Sequence, residues 1–165
     1  MERPLWAPWR MEFIGREKPR GCIFCDFPAA PEADDPGNLI VHRTPHAFVI
    51  LNRYPYNSGH LMVVPRRHGA DLSALAQAEW ADLMEAVRLA ARVLQAVYQP
   101  QGLNVGMNLG QAAGAGIVDH LHWHLVPRWS GDNNFMPVLA DIRVMVDHLD
   151  TTWRKVRDGF LAARP

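Results

Sequence analysis

Two hydrophobic periods alternate along this chain. "LIVHR" (39–43) and "AFVILN" (47–52) are short apolar, β-branched runs separated by Thr44 and Pro45, and they predict the two strands of a hairpin. A turn-rich stretch, "RYPYNSG" (53–59), leads to a third strand over "HLMVVP" (60–65). The period then changes. Trp80, Leu83, Met84, Val87, Ala90, Ala91, Leu94, Val97 and Tyr98 recur at helical spacing, which predicts a long core-facing helix closed by Pro100 and Gly102. "LNVGMN" (103–108) predicts a fourth strand, "LGQAAGAGIV" (109–118) a glycine-rich loop, and "HLHWHLVP" (120–127) the last strand. After "RWSGDNNFMP", a second helix is predicted from Ile142, Met145, Val146, Leu149, Trp153, Val156 and Phe160. Strands, helix, strands, helix is the order of an α+β fold with helices beside an antiparallel sheet. Residues 1–38 show neither period, and "PAAPEADDPGN" (28–38) reads as an exposed loop. The expected organisation is one domain over 1–165, with an irregular N-terminal segment (1–38) and a C-terminal helical extension (139–165).

Charge narrows the choice of partner. Lys and Arg number 17, equal to Asp and Glu, so the formal net charge is zero. No global basic field exists to hold a long nucleic acid, whereas a small anion needs only a local site. No apolar run reaches membrane-spanning length, and "MERPLWAPWRMEF" lacks the basic start and apolar core of a signal peptide, so the expectation is a cytoplasmic protein without a membrane partner. The only two cysteines form Cys22-x-x-Cys25. In a reducing compartment this spacing favours metal or redox chemistry over a structural disulfide, and a pair of reduced buried thiols is the plain alternative. A tetrahedral metal site would need two further ligands, which His42, His46, His68 or His120 could supply.

The last strand carries the chemistry. In "DHLHWHLVP" (119–127), His120, His122 and His124 alternate with Leu121, Trp123 and Leu125, so on a strand the histidines share one face. With 8 His in 165 residues, such spacing arises by chance in roughly two chains per hundred of this composition. A strand rises about 3.3 Å per residue, which puts the outer pair roughly 13 Å apart, too far to share one ion at about 2.0 Å per bond. The three must therefore divide their roles. A neutral imidazole is a nucleophile near pH 7, and neighbouring imidazoles can donate protons to an anion, a combination suited to phosphoryl or nucleotidyl transfer. Gly110, Gly114 and Gly116, just upstream, would let backbone N–H groups approach a phosphate.

"HLHWHLV" resembles the histidine triad (HIT) family pattern of His-apolar-His-apolar-His-apolar-apolar. "GHLMVVPRRH" (59–68), "GCIFC", "LWAPWRMEFI" and "PRWSGDNNFMPV" extend the likeness over nearly the whole chain, and the last two are similar to a bacterial branch of diadenosine tetraphosphate phosphorylases. The resemblance implies a HIT-like fold: a five-stranded antiparallel sheet flanked by helices, in a homodimer or higher homo-oligomer that binds purine nucleotides. It implies His122 as the nucleophile on an α-phosphate, His124 as a contact to phosphate oxygens, and His60 as an assistant to the nucleophile or the phosphate. It implies Zn2+ in a structural site of Cys22, Cys25, His68 and His120. Asn52 matches a ribose-contacting position and Asn108 a phosphate-contacting one, each beside an ordinary turn role. Gly114 and Gly116 belong to the phosphate-side loop, although Ala115 and Gly116 stand where some relatives carry Ser or Thr. "GDNNF" is either a cap over the site or a turn.

The expected activity is nucleotidyl transfer from an adenine dinucleoside polyphosphate through a covalent nucleotidyl-histidine intermediate, with phosphate or water as acceptor. The rivals are a nucleoside phosphoramidate hydrolase, a nucleotide-binding partner protein with weak catalysis, and a zinc hydrolase using the triad as metal ligands.

Overall fold

The computed structural model describes residues 21–132 and 147–163. Five strands form one antiparallel sheet: β1 (Ile40–Arg43), β2 (Ala47–Leu51), β3 (Leu61–Pro65), β4 (Gly102–Met107) and β5 (Trp123–Arg128), in the order β1-β2-β3-β5-β4. The helices are α1 (Ile23–Ala29), a single turn α2 (Asp35–Asn38), the long α3 (Gln77–Tyr98) and α4 (Leu149–Ala162). The sequence segments at 1–20 and 133–146, with Trp6, Trp9, Ile142, Met145 and Val146, lie outside the described residues.

β2 and β3 are buried at every position, which explains their continuous apolar runs. On one face lie α3, packed across β2, β3 and β5, and α4, packed on α3 and β1. Leu83, Ala86, Ala90, Val93 and Leu94 are the buried stripe of α3, while Trp80, expected in it, is 37% exposed. Gly159 lets α4 approach α3 closely, since a Cβ there would stand 2.8 Å from the side chains of both Val93 and Val97. α4 also closes the open edge of β1. Trp153 Nε1 donates to Ile40 O and Arg157 to Val41 O, each at 2.8 Å, satisfying carbonyls that an edge strand leaves unpaired.

The other face positions the site. Phe48 on β2 meets Phe24 of α1 edge-on, with ring centroids 6.4 Å apart, and Phe24 is fully buried. α1 is a helix where the sequence pattern predicts irregular chain. Seven residues with Pro28 inside have little intrinsic helical signal, and burial of Phe24 supplies what propensity does not. The stretch 28–38 is likewise structured. A tight 3-10 turn (Glu32–Asp34) and α2 bury Asp35, whose carboxylate takes a two-pronged bond from Arg43 at 2.6–3.1 Å. Arg43 also donates to Pro28 O at 2.7 Å and Ala30 O at 3.3 Å, so one β1 side chain ties the whole segment to the sheet.

Arg43→Met keeps the apolar stem but leaves the Asp35 carboxylate buried without its partner. It should destabilise the protein by about 3 kcal/mol, a melting-temperature drop of roughly 6–12 °C for a chain of this size. Thermal unfolding followed by circular dichroism measures it; a shift of less than about 2 °C would show that Arg43 does not hold this segment.

Candidate active site and metal centre

β3 ends at Pro65, and its pairing with β5 begins at Val63 opposite Trp123. His120 and His122 therefore precede the strand, and only His124 lies on it. This corrects the expectation of three histidines on one regular strand. The cause is local: β4 ends at Met107, opposite Trp123, and although β3 runs on to Pro65 its pairing with β5 stops at Val63, so other groups satisfy this stretch instead. Leu121 N–H donates to Gly69 O at 2.9 Å, and His120 Nε2–H donates to Pro65 O at 2.8 Å. The rings still converge on one side, where Phe24 lies 5.5 Å from His120 and 5.2 Å from His122.

His120 turns away from the other two histidines. A carbonyl can only accept, so its bond to Pro65 O puts the proton on Nε2 and leaves the Nδ1 lone pair facing outward. Nδ1 lies 3.3 Å from Cys22 Sγ, 3.7 Å from Cys25 Sγ and 3.3 Å from His68 Nδ1; Cys25 Sγ is 3.4 Å from His68 Nδ1. One ligand atom from each of Cys22, Cys25, His68 and His120 falls within 4.8 Å of every other. A zinc tetrahedron with nitrogen at about 2.0–2.1 Å and sulfur at about 2.3 Å has N···N edges of about 3.3–3.4 Å and S···N edges of about 3.5–3.6 Å, so the four donors fit the ion in number, softness and spacing. His42 and His46, the other sequence possibilities, are not in the cluster. Burial pushes the Cys25 thiol up, and the neighbouring Cys22 thiol adds to this. A cation would reverse that effect by stabilising the thiolates.

His122 is fixed by the same peptide. Its Nδ1–H donates to His120 O at 2.8 Å, so its Nε2 carries the lone pair. Burial pulls its pKa below the usual imidazole value, against a smaller opposing effect of the His120 carbonyl. At neutral pH the side chain is an uncharged base with its reactive nitrogen defined. The His124 ring stands 4.9 Å away, nearly perpendicular.

A second histidine pair completes the group. The Tyr56 N–H donates to His60 Nδ1 at 3.0 Å, and the Asn52 amide approaches the same nitrogen at 3.4 Å. His60 must then carry its proton on Nε2, which faces His124 Nδ1 at 2.9 Å. That proton goes to His124 Nδ1, so His124 holds its own on Nε2 and is a donor. His60 thus bonds to His124, not to His122. Asn52 Oδ1 accepts from Tyr54 N–H at 2.9 Å, so this residue serves the turn and His60 together. In the loop before the triad, Gly110 and Gly114 have φ of 79° and 86°. Gly114 N–H is committed to Gln111 O and Ala115 N–H to Gly110 O, while Asn108 Nδ2 reaches Gly114 O at 3.4 Å.

The sequence reading missed three parts of this site. Phe24, Tyr56 and Asp132 have no chemistry-bearing spacing; "WSGD" is the one signal that pointed toward Asp132.

A Cys2His2 cluster that could hold a metal is joined through one peptide to a neutral, buried histidine base, beside a histidine donor, an arrangement chemically able to serve a nucleophilic site. The HIT domain family model matches residues 35–131, and the chain belongs to this family. It is 40% identical over 156 residues to the "AP-4-A phosphorylase" of Mycobacterium tuberculosis, covering 91% of this chain and 80% of that one. It is 31% identical over 114 residues to the "Bis(5'-nucleosyl)-tetraphosphatase [asymmetrical]" of Schizosaccharomyces pombe, covering 69% and 58%. Among solved structures it is similar to a zinc-bound histidine triad family protein from Mycobacterium smegmatis, with TM-score 0.67, 26% identity, and 86% and 94% of the two chains covered.

Proposed function

We propose that this chain is a nucleotidyltransferase that splits adenine dinucleoside polyphosphates at an α-phosphate. The observation that carries this reading is the His122 ring, neutral and held by Nδ1–H on His120 O, with its Nε2 lone pair beside the donor His124. The likeness to the mycobacterial phosphorylase supplies the substrate class.

His122 Nε2 attacks the α-phosphorus. A P–N bond forms and the bond to the bridging oxygen breaks, so the remaining nucleotide leaves with that oxygen. The Nε2–H of His124 donates to the phosphate oxygens, where charge grows in the transition state. His60 holds His124 in that tautomer. Inorganic phosphate or water then attacks the same phosphorus, the P–N bond breaks, and ADP or AMP leaves. Asn52, Asn108 and the loop through Gly114 and Gly116 flank the nucleotide. Cys22, Cys25, His68 and His120 would hold a structural Zn2+, which would tie α1 to the start of the triad without a part in bond making. The exposed edge of β4, where Val105 is 46% exposed, suits pairing with a second copy, and a cysteine pair outside any disulfide suits the cytoplasm.

Diadenosine tetraphosphate should be split by the protein, and chromatography of the products with and without inorganic phosphate identifies the acceptor: ADP with ATP for phosphorolysis, AMP with ATP for hydrolysis. His122→Ala should lower turnover by roughly three orders of magnitude, since no neighbour can replace the nucleophile, and leave nucleotide affinity nearly intact. His124→Ala should cost roughly 10- to 100-fold in rate. Wild-type protein that binds the dinucleotide without splitting it would favour a binding module instead.

Metal analysis should return about one zinc per chain. Cys22→Ser should lower zinc content and melting temperature together, because ligand binding energy is folding energy here. Full occupancy in a Cys22→Ser, His68→Ala double variant would remove the assignment.

A further inference from the structure

Two segments that are distant in sequence meet behind the His60–His124 pair. The first is the β2–β3 connection, residues 52–60, which brings the Tyr56 N–H to His60 Nδ1. The second is the turn after β5, where Trp129 and Asp132 close a tight reversal through Asp132 N–H to Trp129 O at 3.1 Å. Asn57 is the link. Its Oδ1 accepts from Ser58 N–H at 3.1 Å, which assigns the amide orientation. Its Nδ2 donates to Pro127 O at 3.1 Å and to Asp132 Oδ2 at 2.9 Å. Its own carbonyl accepts from His60 N–H at 3.2 Å.

Asp132 is the counterpart. Its carboxylate, 8% exposed, takes Arg128 Nε at 2.6 Å and a second Arg128 nitrogen at 2.9 Å, together with the Trp129 N–H at 3.2 Å and the Asn57 amide. Arg128 is anchored in turn to Asn104 Oδ1 on β4 at 2.9 Å. A buried carboxylate with this many donors is held rigidly, and so holds what it touches. Gly59 adds a one-sided constraint. Its φ is +78°, and a Cβ there would stand 2.8 Å from the Tyr98 ring, so the chain passes Tyr98 between Asn57 and His60 only with glycine at this position.

We propose that Asn57 and Asp132 are positioning residues for the phosphate donor His124, acting through the Tyr56 N–H and His60. The clamp fixes the height of the 53–59 loop, and the loop fixes where Tyr56 N–H meets His60 Nδ1. That bond keeps the His60 proton on Nε2, and the Nε2–H on His124 Nδ1 keeps the His124 proton on its outward nitrogen. Without the clamp, His60 can take the other tautomer. His124 would then face a lone pair instead of a donor, turn its own proton inward, and offer phosphate a lone pair. Neither residue of the clamp touches His122 or the metal cluster.

The inference rests on the nucleotidyl-transfer reading for its kinetic consequence, but its structural core is tested in the free protein. Histidine 15N spectra of the full chain at pH 8 report which ring nitrogen carries the proton. In the wild type, His60 and His124 should each show a protonated Nε2 and an unprotonated Nδ1. In Asn57→Ala, one or both should move to a mixture or to the reversed pattern, while His122 keeps its own. Turnover of diadenosine tetraphosphate should fall about 10- to 100-fold with KM changed by less than about threefold, since the loss is of a transition-state donor. Asn57→Asp should behave alike, and the exchange of Asn57→Asp with Asp132→Asn, which reverses donor and acceptor across the same contact, should recover at least part of the loss. Should Asn57→Ala fail to fold, Asp132→Asn replaces it in the same spectra. Folded variants with wild-type nitrogen shifts for both histidines would overturn the proposal whatever the activity. A wild type inactive on the dinucleotide would instead count against the transferase reading, and the spectra alone would decide this one.

Discussion

One buried hydrogen bond organises the site: His120 Nε2–H to the carbonyl of Pro65, the last residue of β3. It stands just beyond the last β3–β5 pair, Val63 opposite Trp123, where Leu121 N–H turns to Gly69 O. It fixes the His120 tautomer so that Nδ1 joins Cys22, Cys25 and His68. Because His120 is held in this way, its own carbonyl is aimed at His122 Nδ1–H. One residue thus brings its ring nitrogen to the Cys2His2 cluster and its backbone carbonyl to the His122 ring. Phe24, wedged between the two cysteines in sequence and against both rings in space, couples the same parts by packing.

The remaining histidines obey a separate rule, the order of protons along a chain of acceptors. Tyr56 N–H donates to His60 and His60 to His124, which leaves the last proton on His124 Nε2. His122 and His124 are therefore chemically opposite although two residues apart. One has its lone pair on Nε2 and the other its proton on Nε2, which under the proposed mechanism would meet phosphorus and oxygen respectively. Covalent transfer needs both, and the surrounding carbonyls and N–H groups assign them without a change of net charge.

The strands and the long helix were legible in the sequence, because each depends on a period that survives without coordinates; spacing gave the Cys22–Cys25 pair, but left its histidine partners open among His42, His46, His68 and His120, and only the family resemblance singled out His68 and His120, which the fold brings beside the cysteines. His120, His122 and His124 were visible as a group, and the distance argument required their division. What was not legible was that β5 starts at Trp123. That depends on where β4 ends, at Met107 opposite Trp123, a property of another segment. Cys22 to Ala29 hid its helix because Pro28 and short length erase the pattern, and Phe24 looks like any aromatic until its burial is known. Asp35 fell in a stretch that read as an exposed loop and Asp132 in one that read as a cap or a turn; their bonds to Arg43 and Arg128 are contacts that the sequence reading did not find. His60 was found, but its partner was not, since the bond to His124 spans 64 positions along the chain.

The claim on which the account turns is that His122 becomes covalently attached to the nucleotide. A phosphorus–nitrogen bond to histidine is acid-labile, so the reaction with diadenosine tetraphosphate should be stopped within milliseconds in alkaline denaturant, digested at high pH and read by mass spectrometry. An adenylyl group on the peptide containing His122, located to that ring by fragmentation, is the predicted result. An adenylyl group on another residue, or an enzyme that turns over rapidly with no adduct on His122 under trapping conditions that preserve a phosphoramidate standard, would contradict it.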